Sequence, residues 1–571
     1  MNTRRALAVL LVGALLATLV PAPGGATGAQ PTRAKQGMVV SQNFMASQVG
    51  IEVLWAGGTA VDAAVATAFA LAVTHPDAGN IGGGGFLLYR PAKGDPVAYD
   101  FREVAPTGSS PTMFLTDGKY DKTKHHAGYL SIGVPGSVAG LHMAWRAHGR
   151  LPWRRLVDPA ISMARDGIVV THDMARSLRK VLPEMKPYPA SVAQFTRKGV
   201  PYEPGDILQQ PELADTLARI ADRGPAGFYE GKTAELVEAE MKAHGGLITR
   251  ADLKAYQPKK RVPLRGTYRG YEVLTMPPVS SGGTALLTML NVLEGYDLKA
   301  KGFGSAAAVH LMAESMRRAY AERARDLGDP DFNPDMPIER LTSKEHAREL
   351  RATIDEQKAS RSSQTSFEWP AESHETTHVS VMDADRNAVA LTTTLEDGYG
   401  SKIVVSGAGF LLNNEMGDFN AGPGLTDKEG LIGTGPNLAQ PGKRMLSSMT
   451  PTILVRDGKP FLAVGARGGR TIINTVLEVI VNIVDFGMNV QEAIDAGRFH
   501  HQWLPDRILY EPNGLSPDTI ALLRARGHEM TEGIGELAVS WLPEAVLYDA
   551  SADVLEGAWD RRAPDGAAIG R

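Results

Sequence analysis

The sequence predicts a layered α/β sandwich, in which helices cover strands that pair into sheets. Two observations predict it. Helical patterns dominate from Leu151 to roughly Glu349, and short runs rich in β-branched residues dominate after Thr376. Strands at the start of each half, with helices around them, can bury their apolar faces only by packing in layers. The chain has no internal repeat and no low-complexity tract.

Composition places the chain among ordinary globular proteins. Its 571 residues fit either two domains or one large layered unit. The formal net charge of -4 gives no reason to expect nucleic acid or an anionic membrane as a partner. There is no cysteine, which excludes a thiol nucleophile, a thiolate metal site and lipid attachment through a thiol.

Residues 1–29 are predicted to be a signal peptide. Two arginines precede an apolar run from Ala6 to Val20, and small residues follow it. This is the pattern of a secretory leader, with cleavage after Ala26 or Ala29. The alternative is a membrane anchor, but the run is short for a span of about 20 residues. We therefore expect an exported protein, periplasmic or extracellular.

The mature chain opens with helices and a glycine-rich turn. Residues Ser41 to Thr74 are expected to form two helices, and Phe86 to Tyr89 a strand. Between them lie the glycines of segment 79–85, which form no clean dinucleotide fingerprint and are followed by no helix. We interpret this segment as a corner where backbones crowd.

Later elements follow from periodicity. Helices are expected at Pro211–Arg223, Lys232–His244, Ala306–Leu327, Thr471–Phe486 and Val490–Ala496. Strands are expected within Gly266–Met276 and at Ile403–Val405, Phe410–Leu412, Thr452–Val455 and Phe461–Val464. The polar segment Ser360 to Ser373 has few core-forming residues and is predicted to be a linker.

One stretch raises the question of zinc. Residues 374–378 read His-Glu-Thr-Thr-His, which matches the H-E-x-x-H pattern of zinc metalloproteases. That site needs a helix, whereas two β-branched runs around Asp383–Asn387 predict a β-hairpin. In a strand the two histidines would lie more than a dozen ångströms apart, at about 3.3 Å per residue. The stretch is better interpreted as a loop entering a strand near Thr376 or Thr377.

A threonine at the start of a strand, directly after a linker, has one well-defined chemical use. If the bond between Glu375 and Thr376 is cut, Thr376 gains a free α-amine with a pKa of about 7.7–8.0 beside its own hydroxyl. Such an amine can activate the hydroxyl as a nucleophile without a histidine. On these grounds alone, a plain strand threonine remains the alternative.

Nine motifs occur in order along the chain. They are GNIGGGGF (79–86), DFRE (100–103), PPVSSGG (277–283), LGDPDF (327–332), TTH (376–378), LLNNEMGDF (411–419), LSSMTPT (446–452), the glycine pair 468–469 and FHHQWLP (499–505). Taken together, they make the chain resemble the γ-glutamyltransferase family of N-terminal nucleophile hydrolases over essentially all of the mature sequence.

The resemblance implies a fold and an activity. The fold is a four-layer αββα sandwich built from two intertwined subunits, a large one (30–375, with residues 360–375 as linker) and a small one (376–571). The precursor cuts itself between Glu375 and Thr376. The freed Thr376 then takes the acyl group of a γ-glutamyl amide such as glutathione and passes it to water or to an amino acid or peptide amine. No metal and no organic cofactor are implied.

The resemblance also assigns site residues. Thr394 matches the threonine whose hydroxyl bonds the nucleophile. Gly468 and Gly469 match the oxyanion-hole pair, where a backbone can approach the oxygen without a Cβ. For each, the alternative is an ordinary strand threonine or a glycine turn.

A clamp for the donor's zwitterion is implied as well. Arg102 matches the arginine that grips the α-carboxylate, a role that suits its planar fork. Ser447 and Ser448 would add hydroxyl donors. Glu415 and Asp418 match the acids that bind the α-ammonium. The alternative for all five is that they are ordinary polar side chains at the surface or at the end of a helix.

Two positions depart from the family pattern. Glu396 stands where many members have an asparagine that helps to hold the donor, and this third carboxylate should favour a differently charged donor. In loop 420–444, where many bacterial members carry a lid tyrosine, this chain has Glu429, so we expect a more open site. A glutaryl-type cephalosporin acylase, a zinc protease and a non-catalytic binding protein on the same scaffold remain alternatives.

Overall fold

Two seven-stranded antiparallel sheets lie face to face between layers of helices. The computed structural model describes residues 28–362, 375–425, 433–533 and 541–571, and Pro31–Arg571 forms one compact unit. The layers run helix, sheet, sheet, helix. This confirms the αββα sandwich.

Each sheet combines strands from both sides of residue 376. The first sheet has the spatial order Lys259–Arg261, Val97–Asp100, Gly84–Arg90, Ala388–Glu396, Glu375–Met382, Met38–Ser41 and Ala567–Gly570. The second has the order Thr32–Ala34, Val554–Trp559, Pro543–Asp549, Lys459–Ala466, Thr452–Arg456, Tyr271–Thr275 and Leu264–Tyr268. Short strands outside these sheets are Leu115–Thr116, Lys119–Tyr120, Ile168–Val169, Thr196–Arg197, Val200–Pro201, Ile207–Leu208, Phe499–His500, Ile508–Tyr510 and Met530–Glu532.

Burial on both faces explains the strand sequences. Every residue of strand Ala388–Glu396 is buried, so the strand reads as a continuous run of apolar residues and threonines. Val389 and Leu391 pack against the first helical layer, whereas Ala388 and Ala390 face the second sheet. The strand therefore lies at the centre of the molecule.

The helices divide between the two outer layers. The helices that cover the first sheet come from the first half of the chain. They are Phe44–Trp55, Ala60–Thr74, Ser137–His148, Trp153–Asp166, His172–Met185, Pro189–Phe195, Pro211–Arg223, Ala226–Tyr229, Gly231–His244 and Arg250–Ala255. The second is covered by Gly282–Leu293, Leu298–Lys301, Ala306–Asp326, Thr471–Val484, Val490–Asp495 and Pro517–Ala525. Shorter helices are Lys122–His126, Ile338–Leu341 and Lys344–Ala352, with 3-10 turns at Tyr129–Ser131, Glu415–Asp418 and Gly435–Asn437. Within the described ranges, no helix combines the length and the apolar character that crossing a bilayer requires.

Glycines let backbones meet beside the central strand, as the interpretation of segment 79–85 expects. A Cβ on Gly83 would lie 2.1 Å from the carbonyl oxygen of Thr394, and one on Gly85 would lie 2.3 Å from that of Thr392. No other residue fits such spacing. The segment is a packing corner and not a nucleotide loop.

The zinc interpretation fails at its helical condition. Residues Glu375–Met382 form a strand, and His378 lies between the two sheets. Its Nδ1 is 2.8 Å from Thr392 Oγ1 and its Nε2 is 3.0 Å from Ser380 Oγ. Burial lowers the pKa of His378 to about 3. Both ring nitrogens are thus used in the fold, while His374 lies outside the described residues.

Two expected strands are absent. Residues Ile403–Val405 and Phe410–Leu412 are not strands; one isolated bridge joins Val404 to Leu411. The reason is the turn between them, where Gly407 and Gly409 have φ of 74° and 71° and bend the chain too tightly for a ladder.

The first residues of the predicted linker belong to the folded unit. Ser360 and Ser362 are held in the fold, because Ser360 N–H donates to Glu314 Oε1 at 3.1 Å and Ser362 N–H donates to Asp506 Oδ2 at 2.9 Å. The linker prediction therefore starts too early. Residues 363–374, most of the predicted leader (1–27) and Glu429 lie outside the described residues.

Candidate active site

Two threonine side chains face each other across the central hairpin. Thr376 lies directly opposite Thr394, and both are buried. The register jumps at this point, because Glu375 pairs with Glu396 and leaves Leu395 as an extra residue. Bulges of this kind re-aim side chains, and they are common next to active sites. The bulge here falls at the bond between Glu375 and Thr376.

Thr394 is held by hydrogen bonds to its side chain and to its carbonyl oxygen. Its Oγ1 accepts a hydrogen bond from the N–H of Glu396 at 2.9 Å. Its carbonyl oxygen accepts from Asn80 Nδ2 at 2.9 Å. These bonds fix both the backbone and the side chain of Thr394 opposite Thr376.

Gly468 and Gly469 form the turn between strand Lys459–Ala466 and helix Thr471–Val484. Their φ values of 130° and 57° lie in the region that favours glycine. Across the part of the chain that the structure describes, neither N–H donates to a protein atom. Gly469 lines the pocket beside Thr376, whereas Gly468 is not among the lining residues. Two such N–H groups at a helix N-terminus suit the stabilisation of an oxyanion.

Arg102 is buried and holds the acids that are expected to bind the ammonium group. Its Nη1 lies 2.5 Å from Glu415 and 3.5 Å from Glu103, and its Nη2 pairs with Asp418. Its Nε donates to the carbonyl oxygen of Met445 at 3.3 Å. The two halves of the predicted clamp are thus paired with each other.

The crowding of acids around Arg102 shifts pKa values. Burial and the Glu415 charge raise the pKa of Glu103 well above its usual range. Burial raises the pKa of Glu415 to about 7, with Asp418 adding to the effect and Arg102 opposing it. Burial acts to lower the pKa of Arg102, but the neighbouring carboxylates more than offset this and keep it cationic.

The hydroxyl oxygen of each serine in the predicted clamp already accepts a hydrogen bond. Ser447 Oγ accepts from the N–H of Met449 at 3.2 Å, and Ser448 Oγ accepts from Arg323 Nη2 at 2.9 Å. Arg323 also donates from Nε to Ser281 Oγ at 2.8 Å. Each serine can therefore turn its O–H toward an anion in the pocket.

Glu396 has a partner that no motif predicted. His126, from helix Lys122–His126, places Nδ1 3.1 Å from Glu396 Oε1. Glu396 is 5% exposed and its φ is 77°, an uncommon value for a residue with a Cβ.

One pocket collects almost all of the expected residues. It is lined by Arg102, Thr376, Thr394, Glu396, Glu415, Asp418, Ser447, Ser448, Met449, Gly469 and Ile472. A buried hydroxyl pair, an arginine flanked by acids and a glycine turn are thereby brought to one place. This arrangement can bind a zwitterion, attack a carbonyl next to it and stabilise the resulting oxyanion.

Sequence reasoning missed His126 and Arg323. They bond two pocket residues, Glu396 and Ser448, that lie more than a hundred residues further along the chain, so spacing gave no signal. A buried third carboxylate at Glu396 should, however, demand a donor from somewhere in the fold. This need for a hydrogen-bond donor is the one signal in the sequence that could have pointed to a residue such as His126.

A separate group of metal-binding residue types lies elsewhere. Among the described residues, His310, Glu314 and His528 come within metal-binding reach of one another. His310 Nδ1 is 2.7 Å from His528 Nε2, and Glu314 bonds Arg317 at 3.2 Å and Arg318 at 2.6 Å. These contacts make a hydrogen-bonded network. That the reaction needs no metal or cofactor stays a prediction.

Comparisons with known proteins agree with these motifs. The profile of the family described as Gamma-glutamyltranspeptidase matches residues 46–570. The glutathione hydrolase proenzyme of Escherichia coli (strain K12) is 47% identical over 562 residues, which cover 96% of this chain and 97% of that protein.

Two solved structures are similar. The cephalosporin acylase from Bacillus halodurans has a TM-score of 0.83 at 27% identity and covers 96% of this chain and 98% of its own. The gamma-glutamyltranspeptidase of Helicobacter pylori has a TM-score of 0.56 at 42% identity and covers 59% of this chain and 96% of its own. The chain therefore belongs to the gamma-glutamyltranspeptidase family.

Proposed function

We propose that Thr376 is the nucleophile of this self-processing γ-glutamyl hydrolase or transferase, and that cutting the bond after Glu375 creates it. The observation that carries the proposal is the placement of Thr376. It lies opposite Thr394, beside Gly469 and in the pocket that also holds Arg102. A strand threonine without a chemical role has no reason to face a zwitterion clamp.

Self-cleavage comes first. Thr376 Oγ attacks the carbonyl carbon of Glu375, the C–N bond breaks, and the acyl group moves from nitrogen to oxygen as an ester. Water then opens the ester and releases the Glu375 carboxylate and the Thr376 hydroxyl. The α-amine that remains has an ordinary pKa near 7.7–8.0 and serves as the base for later turnovers.

Turnover on a γ-glutamyl donor such as glutathione uses the same hydroxyl. The amine of Thr376 takes the Oγ proton while Oγ attacks the γ-carbonyl carbon, and the N–H groups of Gly468 and Gly469 receive the oxyanion. The proton passes to the leaving amine as the C–N bond breaks. Water, or the amine of an amino acid or peptide, then attacks the ester and frees Thr376. Loss of one oxyanion donor typically costs about 2.7–4 kcal/mol of transition-state stabilisation.

The clamp fixes the donor by an exchange of partners. The α-carboxylate takes the place of the acids on Arg102 and receives the hydroxyls of Ser447 and Ser448. Glu415 and Asp418, thus released, bind the α-ammonium. Charges that are paired before binding stay paired afterwards, so the exchange avoids leaving a buried ion alone.

Intact mass of the purified protein tests the nucleophile. The native chain should give two polypeptides, the smaller beginning Thr-Thr-His-Val, and Thr376→Ala should give one. Thr377→Ala is the matched control, because Thr377 is a buried neighbour whose hydroxyl has no hydrogen-bond partner among the described residues. It should be cut like the native chain. Cleavage in Thr376→Ala, or a smaller piece with another start, would sink the assignment.

We also propose that the enzyme is exported. The support is the leader pattern of residues 1–29, with its basic start and short apolar run. The same mass measurement checks this on protein from fractionated cells. The larger polypeptide should begin after Ala26 or Ala29 and be found outside the cytoplasm; a full-length N-terminus in the cytoplasmic fraction contradicts the proposal.

A further inference from the structure

The turn that carries Gly468 and Gly469 is not stiff by itself. Glycine adopts backbone conformations that other residues avoid, and the φ values of 130° and 57° show that this turn uses them. Two adjacent glycines therefore restrict the direction of their N–H groups very little. Stabilisation of an oxyanion, by contrast, requires donors that point to the right place before the reaction starts. The surrounding residues must supply that restriction.

Local hydrogen bonds join the turn to helix Thr471–Val484. The N–H of Thr471 donates to the carbonyl oxygen of Gly468 at 3.2 Å, and the Thr471 hydroxyl donates to the same oxygen at 2.6 Å. The N–H of Ile472 donates to the carbonyl oxygen of Gly469 at 3.2 Å. All of these bonds are local, so they orient the turn relative to its own helix and not relative to Thr376.

Tyr320 connects the helix side of the turn to a distant part of the chain. Its hydroxyl donates to the carbonyl oxygen of Arg470, the last residue before the helix. Tyr320 is buried within helix Ala306–Asp326, and its ring stands edge-on to that of His500 with 5.6 Å between centroids. Because packing fixes the phenol, its hydroxyl can fix the carbonyl group that it bonds.

Asp77 connects the strand side of the turn in the same way. Arg467 directly precedes Gly468, and its Nη1 lies 3.4 Å from Asp77 Oδ2 and 3.2 Å from Gln42 Oε1. The carbonyl oxygen of Asp77 accepts from the N–H of Tyr399 at 2.8 Å, so the acid is itself fixed. Only 13% of the Arg467 side chain and 16% of the Asp77 side chain are exposed, so salt screens their attraction little.

We propose that Asp77 and Tyr320 are positioning residues that aim the N–H groups of the glycine pair at the oxyanion. Asp77 acts through Arg467 at the strand side of the turn, and Tyr320 acts through the carbonyl group of Arg470 at the helix side. This role rests on the proposed function of the pocket. Both positioning residues precede the proposed cut, whereas the turn follows it. The smaller polypeptide therefore carries the oxyanion donors, and the larger one sets their direction.

Two nearly isosteric variants remove one support each. Tyr320→Phe deletes the hydroxyl, and Asp77→Asn deletes the charge. The value of kcat/KM for γ-glutamyl p-nitroanilide should fall about tenfold in each variant, because a displaced oxyanion donor loses part of the hundredfold or more that its removal costs. Intact mass gives the amount of processed enzyme, and the rate is expressed per processed molecule. Because the two supports are independent, the second variant keeps the test decisive where the first is not processed.

Matched controls lie at the far end of the same helix. Asp485 Oδ2 accepts from the hydroxyl of Tyr268 at 2.6 Å, and Asp485 Oδ1 accepts from Arg269 Nε at 3.0 Å. These contacts also cross the proposed cut, and the 14-residue helix places them about 21 Å from the glycine turn at 1.5 Å per residue. Tyr268→Phe and Asp485→Asn should lower the thermal unfolding midpoint but leave kcat/KM within about twofold. A tenfold loss in these controls would show that any damage to the helix contacts slows the enzyme, and the positioning role would fail.

Inhibitor binding separates the oxyanion from the rest of the pocket. A donor analogue with a boronic acid in place of the γ-carboxyl group becomes tetrahedral when the Thr376 oxygen adds to boron, and one boron-bound oxygen then occupies the oxyanion position. L-Norvaline has the donor's zwitterion and carbon chain but no carbonyl group. In Tyr320→Phe and Asp77→Asn the inhibition constant of the boronic acid should rise about tenfold, whereas that of L-norvaline should change less than about twofold. Equal changes in the two constants overturn the proposal.

A double-mutant cycle tests the ion pair. Arg467→Met should reduce kcat/KM as Asp77→Asn does, and the combined variant should be no slower than either alone, because both changes break one interaction. Arg467→Lys keeps a cation beside Asp77 and should recover most of the rate that Arg467→Met loses. Losses that multiply in the combined variant would show that the two side chains do not act as one support.

Two results distinguish the positioning role from the function that it serves. A native enzyme that does not hydrolyse the γ-glutamyl anilide refutes the proposed function. A native enzyme that does, but whose boronic acid inhibition constant is unchanged in processed Tyr320→Phe and Asp77→Asn, refutes the positioning role alone.

Discussion

At the scale of single residues, Glu415 must be ionised to do its proposed work, and its surroundings resist this. Burial, aided by Asp418, raises its pKa to about 7. A carboxyl with a raised pKa is protonated below that value, and a protonated Glu415 cannot attract an ammonium group. The α-amine of Thr376, the proposed base, has an ordinary pKa of about 7.7–8.0 and must also lose its proton. We therefore expect two proton losses to control kcat/KM on the acid side.

The pH dependence of kcat/KM should reveal both proton losses. For the native enzyme, kcat/KM with a γ-glutamyl anilide should fall about a hundredfold per pH unit below pH 6.5, because two groups bind protons. In Glu415→Gln the fall should be about tenfold per unit, since the amine titrates alone. An unchanged slope in the variant would mean that Glu415 is not the second group.

How far the sequence predicts the site also depends on the residue. Arg102, Glu415 and Asp418 stand in recognisable motifs, so they could be named in advance. The pairing of Arg102 with the acids could not, because it depends on burial and on distances between separate loops. His126 and Arg323 belong to none of the motifs, and only the fold brings them to the pocket residues Glu396 and Ser448 that they bond.

At the scale of elements, the contact between the sheets fixes the hairpin that carries Thr376 and Thr394. His378 of strand Glu375–Met382 rests on Gly465 of strand Lys459–Ala466, where an added Cβ would lie 2.2 Å from its Nδ1. The ring has no room to retreat, since both its nitrogens are bonded within its own sheet. Gly465 is therefore required by packing between the sheets and not by its backbone conformation, which is that of an ordinary strand residue.

Gly465→Ala should lower the free energy of unfolding by about 1–3 kcal/mol, the usual cost of overpacking a core. Gly435→Ala is the control, because an added Cβ there meets nothing within 4 Å. It should change stability by about 0.5 kcal/mol or less. Thermal unfolding of both variants in the uncut Thr376→Ala background measures the difference; equal midpoints would contradict the packing argument.

The sequence predicts some helices and strands better than others. Helix Pro211–Arg223 has the bounds that its periodicity predicts, and helix Ala306–Asp326 ends one residue earlier than expected. The C-terminal strands Pro543–Asp549, Val554–Trp559 and Ala567–Gly570 are not among the predicted elements. The first two form a local hairpin, whereas the third pairs with Met38–Ser41 at the other end of the chain. Segment 403–412 has the residues of two strands, but its glycine turn prevents them from forming a ladder.

At the scale of the whole molecule, the proposed cut divides the sequence but not the fold. In the first sheet, strand Ala388–Glu396 pairs with Gly84–Arg90, and strand Met38–Ser41 lies between Glu375–Met382 and Ala567–Gly570. In the second, Thr32–Ala34 pairs with Val554–Trp559 and Tyr271–Thr275 pairs with Thr452–Arg456. Separating residues 30–375 from 376–571 would break ladders in both sheets and expose the core between them.

The two polypeptides should therefore behave as one particle after cleavage. Gel filtration and native mass spectrometry of the processed enzyme should show both together, even on dilution, and a denaturing gel should show them apart. Exposing a buried sheet face costs about 25 cal/mol per Å² of apolar surface. Cutting one peptide bond leaves that contact in place, so it should still hold the two polypeptides together. A smaller polypeptide that elutes alone under native conditions would mean that the strand pairings across residue 376 do not hold the enzyme together.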